Sequence, residues 1–146
     1  MMLILSILFL SLVVFLLCMS MKEPQCLIEV KRRYKILRDY CKTDKNVPEK
    51  FKILKNQVLI TGYTKTSGPL GWNSNKGDEI GICIDGTPNQ AFHILLHELA
   101  HSTVEEYSHS KKFWKNFGEL REMCEGIGIY TPIDHQAKFC GKFIKD

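Results

Sequence analysis

Two histidines and a glutamate lie close together in the segment His97-Glu98-Leu99-Ala100-His101. If this segment is helical, His97 and His101 lie one turn apart on the same face, with about 5–6 Å between their Cβ atoms. Two imidazoles at this separation can share one Zn²⁺ at about 2.0–2.1 Å from each ring nitrogen. Glu98 would then lie beside the metal, where its carboxylate can take a proton from a bound water. The spacing is typical of zinc-dependent peptide hydrolysis, with Glu98 as the predicted catalytic residue.

A catalytic zinc site also needs a third protein ligand and an open position for water. We predict that His109 is this third ligand. On a continuous helix His109 would lie about 12 Å further along the axis than His101, too far to reach the same ion. The helix must therefore end within residues 102–108 and the chain must turn back, with Ser108 as a candidate cap for a second helix.

Other side chains are alternatives for the third position. A glutamate of the following helix, Glu119 or Glu122, is the first alternative, and Asp134 or His135 is the second. His93 lies one turn before the motif, about 12 Å along the axis from its second histidine. We therefore predict that His93 supports the site and does not bind the ion.

The residues before the motif predict the helix that positions it. Thr87 can cap this helix, proline suits the first helical position at Pro88, and Gln90 can close a capping box. The residues that follow supply an apolar face at helical spacing: Ala91, Phe92, Leu95, Leu96 and Leu99. Three polar side chains within such an apolar helix would be costly to bury without partners, and a shared metal ion explains all three.

Four motifs in order resemble the SprT-like and WLM group of zinc metallopeptidases. They are Gly71-Trp72-Asn73, the segment 76–84, the His97–His101 motif, and His109 followed by Phe113-Trp114. The likeness covers about residues 58–125, in a short, single-domain form as in large DNA viruses. It implies a zincin-like domain that hydrolyses protein or peptide substrates. The chain departs from the family in its longer spacer before His109 and in lacking a recognisable DNA-binding or partner-binding tail.

The resemblance also implies where a substrate would lie. In such peptidases the strand before the active helix lines the cleft, and an extended peptide can pair with its edge. Gly81 and Ile82 are then expected beside the substrate, and Trp72 at the rim. Tyr107 or Tyr130 could donate a hydrogen bond to the tetrahedral intermediate.

The N-terminal residues 1–21 carry no charge and are rich in Leu, Ile, Val and Phe. The segment has about the length needed to cross a bilayer. A cleaved signal peptide is the alternative, but the segment has neither a basic start nor a small-residue cleavage site. We therefore predict a single-pass transmembrane anchor. Residues 22–42 hold seven Lys and Arg against three Asp and Glu, and this excess predicts that the domain at 22–146 faces the cytosol.

Residues 23–42 predict an amphipathic helix. Largely apolar side chains recur at spacings of three and four residues: Leu27, Val30, Tyr34, Leu37 and Cys41. The helix also carries four clustered basic residues: Lys31, Arg32, Arg33 and Lys35. They could contact anionic lipid headgroups or nucleic acid, or form an ordinary solvated face.

The cysteines indicate free thiols. Outside the predicted anchor there are five, an odd number without a CxxC pair: Cys26, Cys41, Cys83, Cys124 and Cys140. This pattern favours buried thiols in a reducing compartment over disulfides or zinc ligands.

Together these patterns predict an α+β fold, with a small sheet and the motif helix in a catalytic core at about residues 58–125. The predicted protein is a membrane-anchored zinc metallopeptidase with one Zn²⁺ per chain. The alternatives are a catalytically silent membrane adaptor stabilised by zinc, and a DNA-associated protease that acts on DNA–protein crosslinks. The sequence predicts no oligomeric state.

Overall fold

A computed structural model describes residues 2–20, 22–64 and 68–146 of the protein. These residues form α-helices, a single 3-10 helix and two small sheets, an α+β arrangement as predicted. In chain order the elements are α1 (Met2–Ser20), α2 (Gln25–Thr43), the 3-10 helix (Glu49–Lys55), β1 (Leu59–Tyr63), β2 (Gly71–Ser74), β3 (Glu79–Cys83), α3 (Pro88–His101), α4 (Lys111–Gly126), β4 (Ala137–Phe139) and β5 (Lys142–Ile144).

The predicted transmembrane anchor is wrong. Among the described residues no helix is both long and apolar enough to cross a membrane. Residues 1 and 21, the two ends of the predicted span, lie outside the described residues. The predicted single-pass topology and cytosolic orientation both depended on this anchor, so neither is supported.

Helix α2 confirms the amphipathic pattern. Its buried residues are the predicted ones: Leu27, Val30, Tyr34, Leu37 and Cys41. The Tyr34 hydroxyl donates to the Asn56 carbonyl oxygen at 3.2 Å and accepts from the Val58 N–H at 2.9 Å. The tyrosine therefore ties α2 to the chain where it enters the first sheet.

The four clustered basic residues of α2 are paired with acidic neighbours. Arg32 and Arg33 both bond to Glu29. Lys31 pairs with Glu23 and Lys35 with Asp39. Contact of these four residues with lipid or nucleic acid stays a prediction, and such a contact would compete with the intramolecular pairs.

The first sheet has the order β1-β3-β2. β1 runs parallel to β3, with Leu59 opposite Glu79, and β2 runs antiparallel to β3, with Gly71 opposite Ile82. The central strand β3 is the most buried of the three, as its apolar sequence requires. Helix α3 packs against both β2 and β3, so the sheet forms the floor under the motif helix.

The second sheet is a C-terminal hairpin that the sequence patterns did not predict. β4 and β5 pair antiparallel, and Phe139 is buried at the end of β4. Cys140, in the hairpin turn, forms a disulfide with Cys83 at the end of β3, with 6.5 Å between the Cα atoms, an ordinary separation for a disulfide. The prediction of free thiols is therefore wrong for this pair, because the fold brings together two cysteines 57 residues apart in sequence. The free cysteines among the described residues are Cys18, Cys26, Cys41 and Cys124.

Candidate metal centre

Helix α3 begins as predicted. The Thr87 hydroxyl accepts from the Gln90 N–H at 3.2 Å, and the Gln90 side-chain oxygen accepts from the Thr87 N–H at 3.0 Å. This capping box satisfies N–H groups at the start of the helix. Pro88 occupies the first turn. The start of the helix is thereby fixed, and with it the direction in which the motif side chains point.

The helix ends directly after the second histidine of the motif. Ser102 N–H donates to the Leu99 carbonyl and Thr103 N–H to the Ala100 carbonyl, both at 3.0 Å. These short-range bonds close the last turn and let the chain leave the helix axis. Asn116 of α4 then donates to the Thr103 hydroxyl at 2.9 Å. The chain therefore turns back, as a third ligand at His109 requires.

A lysine holds the connector between α3 and α4 in place. The Lys76 ammonium donates to the carbonyl oxygens of Val104 at 2.8 Å and Glu106 at 3.3 Å, and to that of Glu105. Ser110 caps α4 by accepting from the Phe113 N–H at 3.0 Å, two residues later than the predicted cap at Ser108.

Three histidine side chains converge at this turn, and we call them the metal triad: His97, His101 and His109. The Nε2 atoms of His97 and His109 lie 3.0 Å apart, and those of His101 and His109 lie 3.1 Å apart. The candidate ligand atoms all lie within 4.8 Å of one another, and the described residues contain no other such group. Nitrogens bound tetrahedrally at about 2.05 Å from one ion would be about 3.3 Å apart. The two separations at His109 are slightly shorter than this value, and the triad could hold a metal ion.

The lowered pKa values of His97 and His101 favour a cation between the rings. Burial, and then the neighbouring histidines, lower the pKa of His97 to about 4. Burial and the His109 ring lower the pKa of His101. Neutral rings present nitrogen lone pairs, which is the form that binds metals. The single Nε2 of His109 cannot donate a proton to both of its neighbours, whereas a shared cation would satisfy all three nitrogens.

Aromatic rings fix the orientation of the triad. The His101 ring lies 4.4 Å from the Phe113 ring, and the His109 ring lies 5.3 Å from the Trp114 ring, between centroids. Both aromatic residues stand in the first turn of α4. The Phe-Trp pair that follows the third histidine therefore limits how far the imidazoles can rotate.

Glu98 lies beside the triad and is 7% exposed. Burial raises the pKa of its carboxyl to about 7, in the range suited to a group that takes and returns a proton near neutral pH. A Cβ atom placed on Gly71 would lie 2.7 Å from a Glu98 carboxylate oxygen. Gly71 thus leaves the space that this carboxylate occupies.

A cleft of about 550 Å³ opens over these groups. One wall comes from the chain at the start of β2, and another comes from the C-terminal hairpin, which sequence reasoning missed. The lining residues are Pro69, Leu70, Gly71, His93, Ile94, His97, Glu98, His101, His109, Trp114, Phe117, Lys142, Phe143, Ile144 and Lys145.

The predicted substrate contacts at Gly81, Ile82 and Trp72 do not lie in this cleft. Both edges of β3 are occupied by neighbouring strands, so a peptide cannot pair beside Gly81 and Ile82. Trp72, 38% exposed, covers Gly81, where an added Cβ would lie 2.2 Å from the indole. The sequence identified the strand before the helix correctly but could not show that it is the central one.

The alternative ligands are absent from the triad group. Glu119 pairs with Lys50. Glu122, Asp134 and His135 likewise contribute no atom to the group of ligand atoms that the described residues form.

His93 has protein partners of its own. Its Nδ1 lies 2.9 Å from the Tyr130 hydroxyl and 3.0 Å from a carboxylate oxygen of Asp146. Arg121 pairs with the same carboxylate at 2.8 Å, and Tyr130 donates to it. Burial lowers the pKa of His93 to about 4. We call these four residues the closed cluster, and they support the prediction that His93 is not a ligand.

One of the two tyrosines predicted to donate a hydrogen bond to the tetrahedral intermediate belongs to the closed cluster. Tyr130 is buried, donates to Asp146, and does not line the cleft. Tyr107 is largely exposed beside the connector, with the Lys76 ammonium 4.4 Å from its ring centre.

Comparisons with known proteins find similarity to two viral proteins. No family model matches it, and no solved structure does. An uncharacterized protein of Acanthamoeba polyphaga mimivirus is 28% identical over 136 residues, covering 80% of this chain and 68% of that protein. An uncharacterized protein of Invertebrate iridescent virus 6 is 28% identical over 87 residues, covering 53% of this chain and 48% of that protein. Neither relative's name states an activity, so a functional proposal depends on the site itself.

Proposed function

We propose that the protein is a zinc-dependent metallopeptidase of the SprT-like and WLM type, with one Zn²⁺ per chain. The observation that carries the proposal is the convergence of the metal triad beside a buried glutamate in an open cleft. Three imidazole ligands with a free fourth position are typical of catalytic zinc, whereas structural zinc sites have four protein ligands.

The donor set supports zinc. Imidazole nitrogens suit Zn²⁺, Cu²⁺, Fe²⁺ and Ni²⁺, whereas Mg²⁺ and Ca²⁺ prefer oxygen ligands. The set of three imidazoles, together with the neighbouring carboxylate, favours zinc within the first group. His97, His101 and His109 would hold the ion.

The reaction follows from the positions of the chain's own groups. The zinc, when bound, supplies Lewis-acid chemistry that acidifies water and polarises a carbonyl. Glu98 takes the proton of the attacking water and later passes it to the leaving amine. Its buried setting keeps the carboxylate away from bulk water. Gly71 leaves it room beside the scissile bond.

The substrate would be an extended peptide along β2. This strand is an edge of the first sheet, since among the described residues it pairs only with β3. Residues at its start, Pro69 to Gly71, line the cleft. An exposed strand edge binds extended peptides through main-chain hydrogen bonds, so β2 takes the role that the sequence had assigned to Gly81 and Ile82.

Metal analysis combined with a protease assay tests the proposal. The full chain, purified without chelator, should hold about one zinc and cleave an unfolded protein substrate. Glu98→Gln removes the basicity but keeps the side-chain size, so its zinc content and melting temperature should match wild type. Its turnover should fall about 10²–10⁴-fold, the contribution typical of a positioned general base.

Two outcomes would contradict the proposal. A Glu98→Gln variant that cleaves as fast as wild type would remove Glu98 from the mechanism. A wild-type protein that holds zinc but cleaves nothing, with or without DNA present, would instead support an adaptor stabilised by the metal.

A further inference from the structure

We infer that the C-terminal hairpin makes the cleft selective for peptides that carry carboxylates. The inference rests on the proposed peptidase function and concerns its substrate class. Two residues carry it, Lys142 and Lys145, which line the cleft that contains the metal triad.

Neither lysine has an acidic partner among the described residues. The ion pairs in the part of the chain that the structure describes do not include Lys142 or Lys145. The adjacent Asp146 is bound within the closed cluster. The only carboxyl group in the cleft lining is that of Glu98. The hairpin side of the cleft is therefore positively charged.

The hairpin holds these lysines against the cleft. The disulfide of Cys140 fixes the chain before Lys142. Ile144 is buried between the two lysines. Asp146 ends the segment by pairing with Arg121 and accepting from the Ile133 N–H at 3.1 Å. A segment attached at both ends presents its charges with little loss of conformational entropy on binding.

An apolar surface accompanies the two charges. Phe143 lies between the lysines in sequence, is 65% exposed, and lines the same cleft. A peptide with an acidic residue next to an apolar one would match this pattern. Each exposed charge pair should contribute about two- to fivefold, so both lysines together should give a preference of about tenfold.

A peptide fits this arrangement better than nucleic acid does. Two cations inside a concave cleft can pair with one or two carboxylates, whereas binding to a phosphate backbone usually relies on a longer array of basic residues. Four of the basic residues of α2, Lys31, Arg32, Arg33 and Lys35, are already paired with acids.

The test measures cleavage of matched peptides by the zinc-loaded full chain. The peptides share one sequence and differ by Glu or Gln beside the apolar residue, each with a free or an amidated C-terminus. We expect kcat/KM to be about tenfold higher for carboxylate-bearing peptides at low salt. The ratio should shrink at ~1 M salt, where the Debye length is about 3 Å. A preference for Glu in amidated peptides assigns the effect to side chains, and a preference only for free C-termini assigns it to the terminal carboxylate.

Hairpin variants locate the effect. The double variant Lys142→Gln/Lys145→Gln should bring the ratio close to one, and each single variant should lower it about two- to fivefold. Lys138→Gln is the matched control, because Lys138 lies on the neighbouring strand of the same hairpin and outside the cleft lining. It should retain the wild-type ratio. Zinc content and melting temperature of each variant show that the fold is intact, and the single variants serve if the double variant fails to fold.

The outcomes separate this inference from the proposed function. Equal cleavage of Glu and Gln peptides overturns the inference and leaves the peptidase. A ratio that survives in the double variant overturns the role of the hairpin. Stimulation by DNA that disappears in the double variant, without any carboxylate preference, shows that the lysines bind nucleic acid instead. No cleavage of any peptide overturns the peptidase and the inference with it.

Discussion

Helix α3 contributes histidines to two groups one turn apart, the closed cluster and the metal triad. The ring nitrogens of the two groups have opposite kinds of partner. In the closed cluster, His93 meets a tyrosine hydroxyl and a carboxylate, and an arginine balances that carboxylate. In the metal triad, the Nε2 atoms of His97 and His101 face that of His109. Both groups contain imidazoles whose pKa is lowered by burial. Only the triad lacks a counter-group of its own.

The difference shows how a buried histidine can be assigned. A ring whose nitrogen meets a hydroxyl and a carboxylate needs no ion, because the protein already supplies its hydrogen bonds. Ring nitrogens that meet only each other are costly unless a cation joins them. Substitutions that remove members of each group test this contrast, provided that metal content and stability are measured separately.

The largest expected effect is on metal binding. His97→Ala, His101→Ala and His109→Ala should each reduce zinc from about one per chain to nearly none, because two imidazoles hold Zn²⁺ far more weakly than three. His93→Ala should keep its zinc but unfold at a lower temperature. Metal analysis after gel filtration, with calorimetry on the same samples, measures both. Zinc retained in the His109 variant, or lost in the His93 variant together with an unchanged melting temperature, would reverse the assignment.

Local patterns predicted the helix and the placement of its two motif histidines well, because short-range physics decides them. The capping box of Thr87 and Gln90 and the i, i+4 spacing of His97 and His101 depend only on neighbours in sequence. His109 could be predicted as well, since the helix had to end before it. The closed cluster could not be predicted, because it joins residues of α3, α4 and the C-terminal end. Each contact of His93 in this cluster links residues 37 or more positions apart in sequence.

The failures share a cause, which is dependence on distant partners. An odd number of cysteines gives no signal for a single disulfide, and only the hairpin brings Cys140 to Cys83. Strand order depends on which strands pair, so sequence could not show that β2 is an edge and β3 the centre. An uncharged N-terminal run is a compositional signal, and composition alone predicted a span that the described residues do not bear out.

A second prediction tests the closed cluster. Tyr130→Phe keeps the ring but removes the hydroxyl that bonds His93 and Asp146. Loss of one partner in a buried polar group costs about 1–3 kcal/mol. The free energy of unfolding should fall by this amount in urea titrations, while zinc content stays near one. A matching loss of zinc would show that the two groups are coupled and would weaken the contrast between them.

A third prediction concerns pH. The pKa of His93 is lowered to about 4 in the folded protein, below the ordinary value of about 6.5 that applies when unfolded. Between these values the unfolded state binds more protons, so folding stability should fall as pH drops from about 6.5 to about 4. The contribution of His93 is at most roughly 1.4 kcal/mol per pH unit.

Chelated protein is the right sample for that measurement, because bound zinc would add its own pH dependence. The pKa values of His97 and His101 are lowered as well, so wild type alone cannot separate the three rings. His93→Gln should show a shallower loss of melting temperature between pH 7 and pH 5 than wild type does. An identical slope in both proteins would mean that His93 does not remain neutral in the fold.

The smallest expected effect comes from Glu119, the residue that competed with His109 for the third position. Its carboxylate pairs with Lys50 and lies 3.9 Å from Lys115, and about a third of the side chain is exposed. Glu119→Gln should therefore cost at most about 1 kcal/mol, as exposed ion pairs do. Zinc content and peptide cleavage should not change, since Glu119 contributes no ligand atom. A Glu119→Gln protein that loses zinc while remaining folded would give this glutamate the role assigned to His109, and the metal triad would then not be the complete set of ligands.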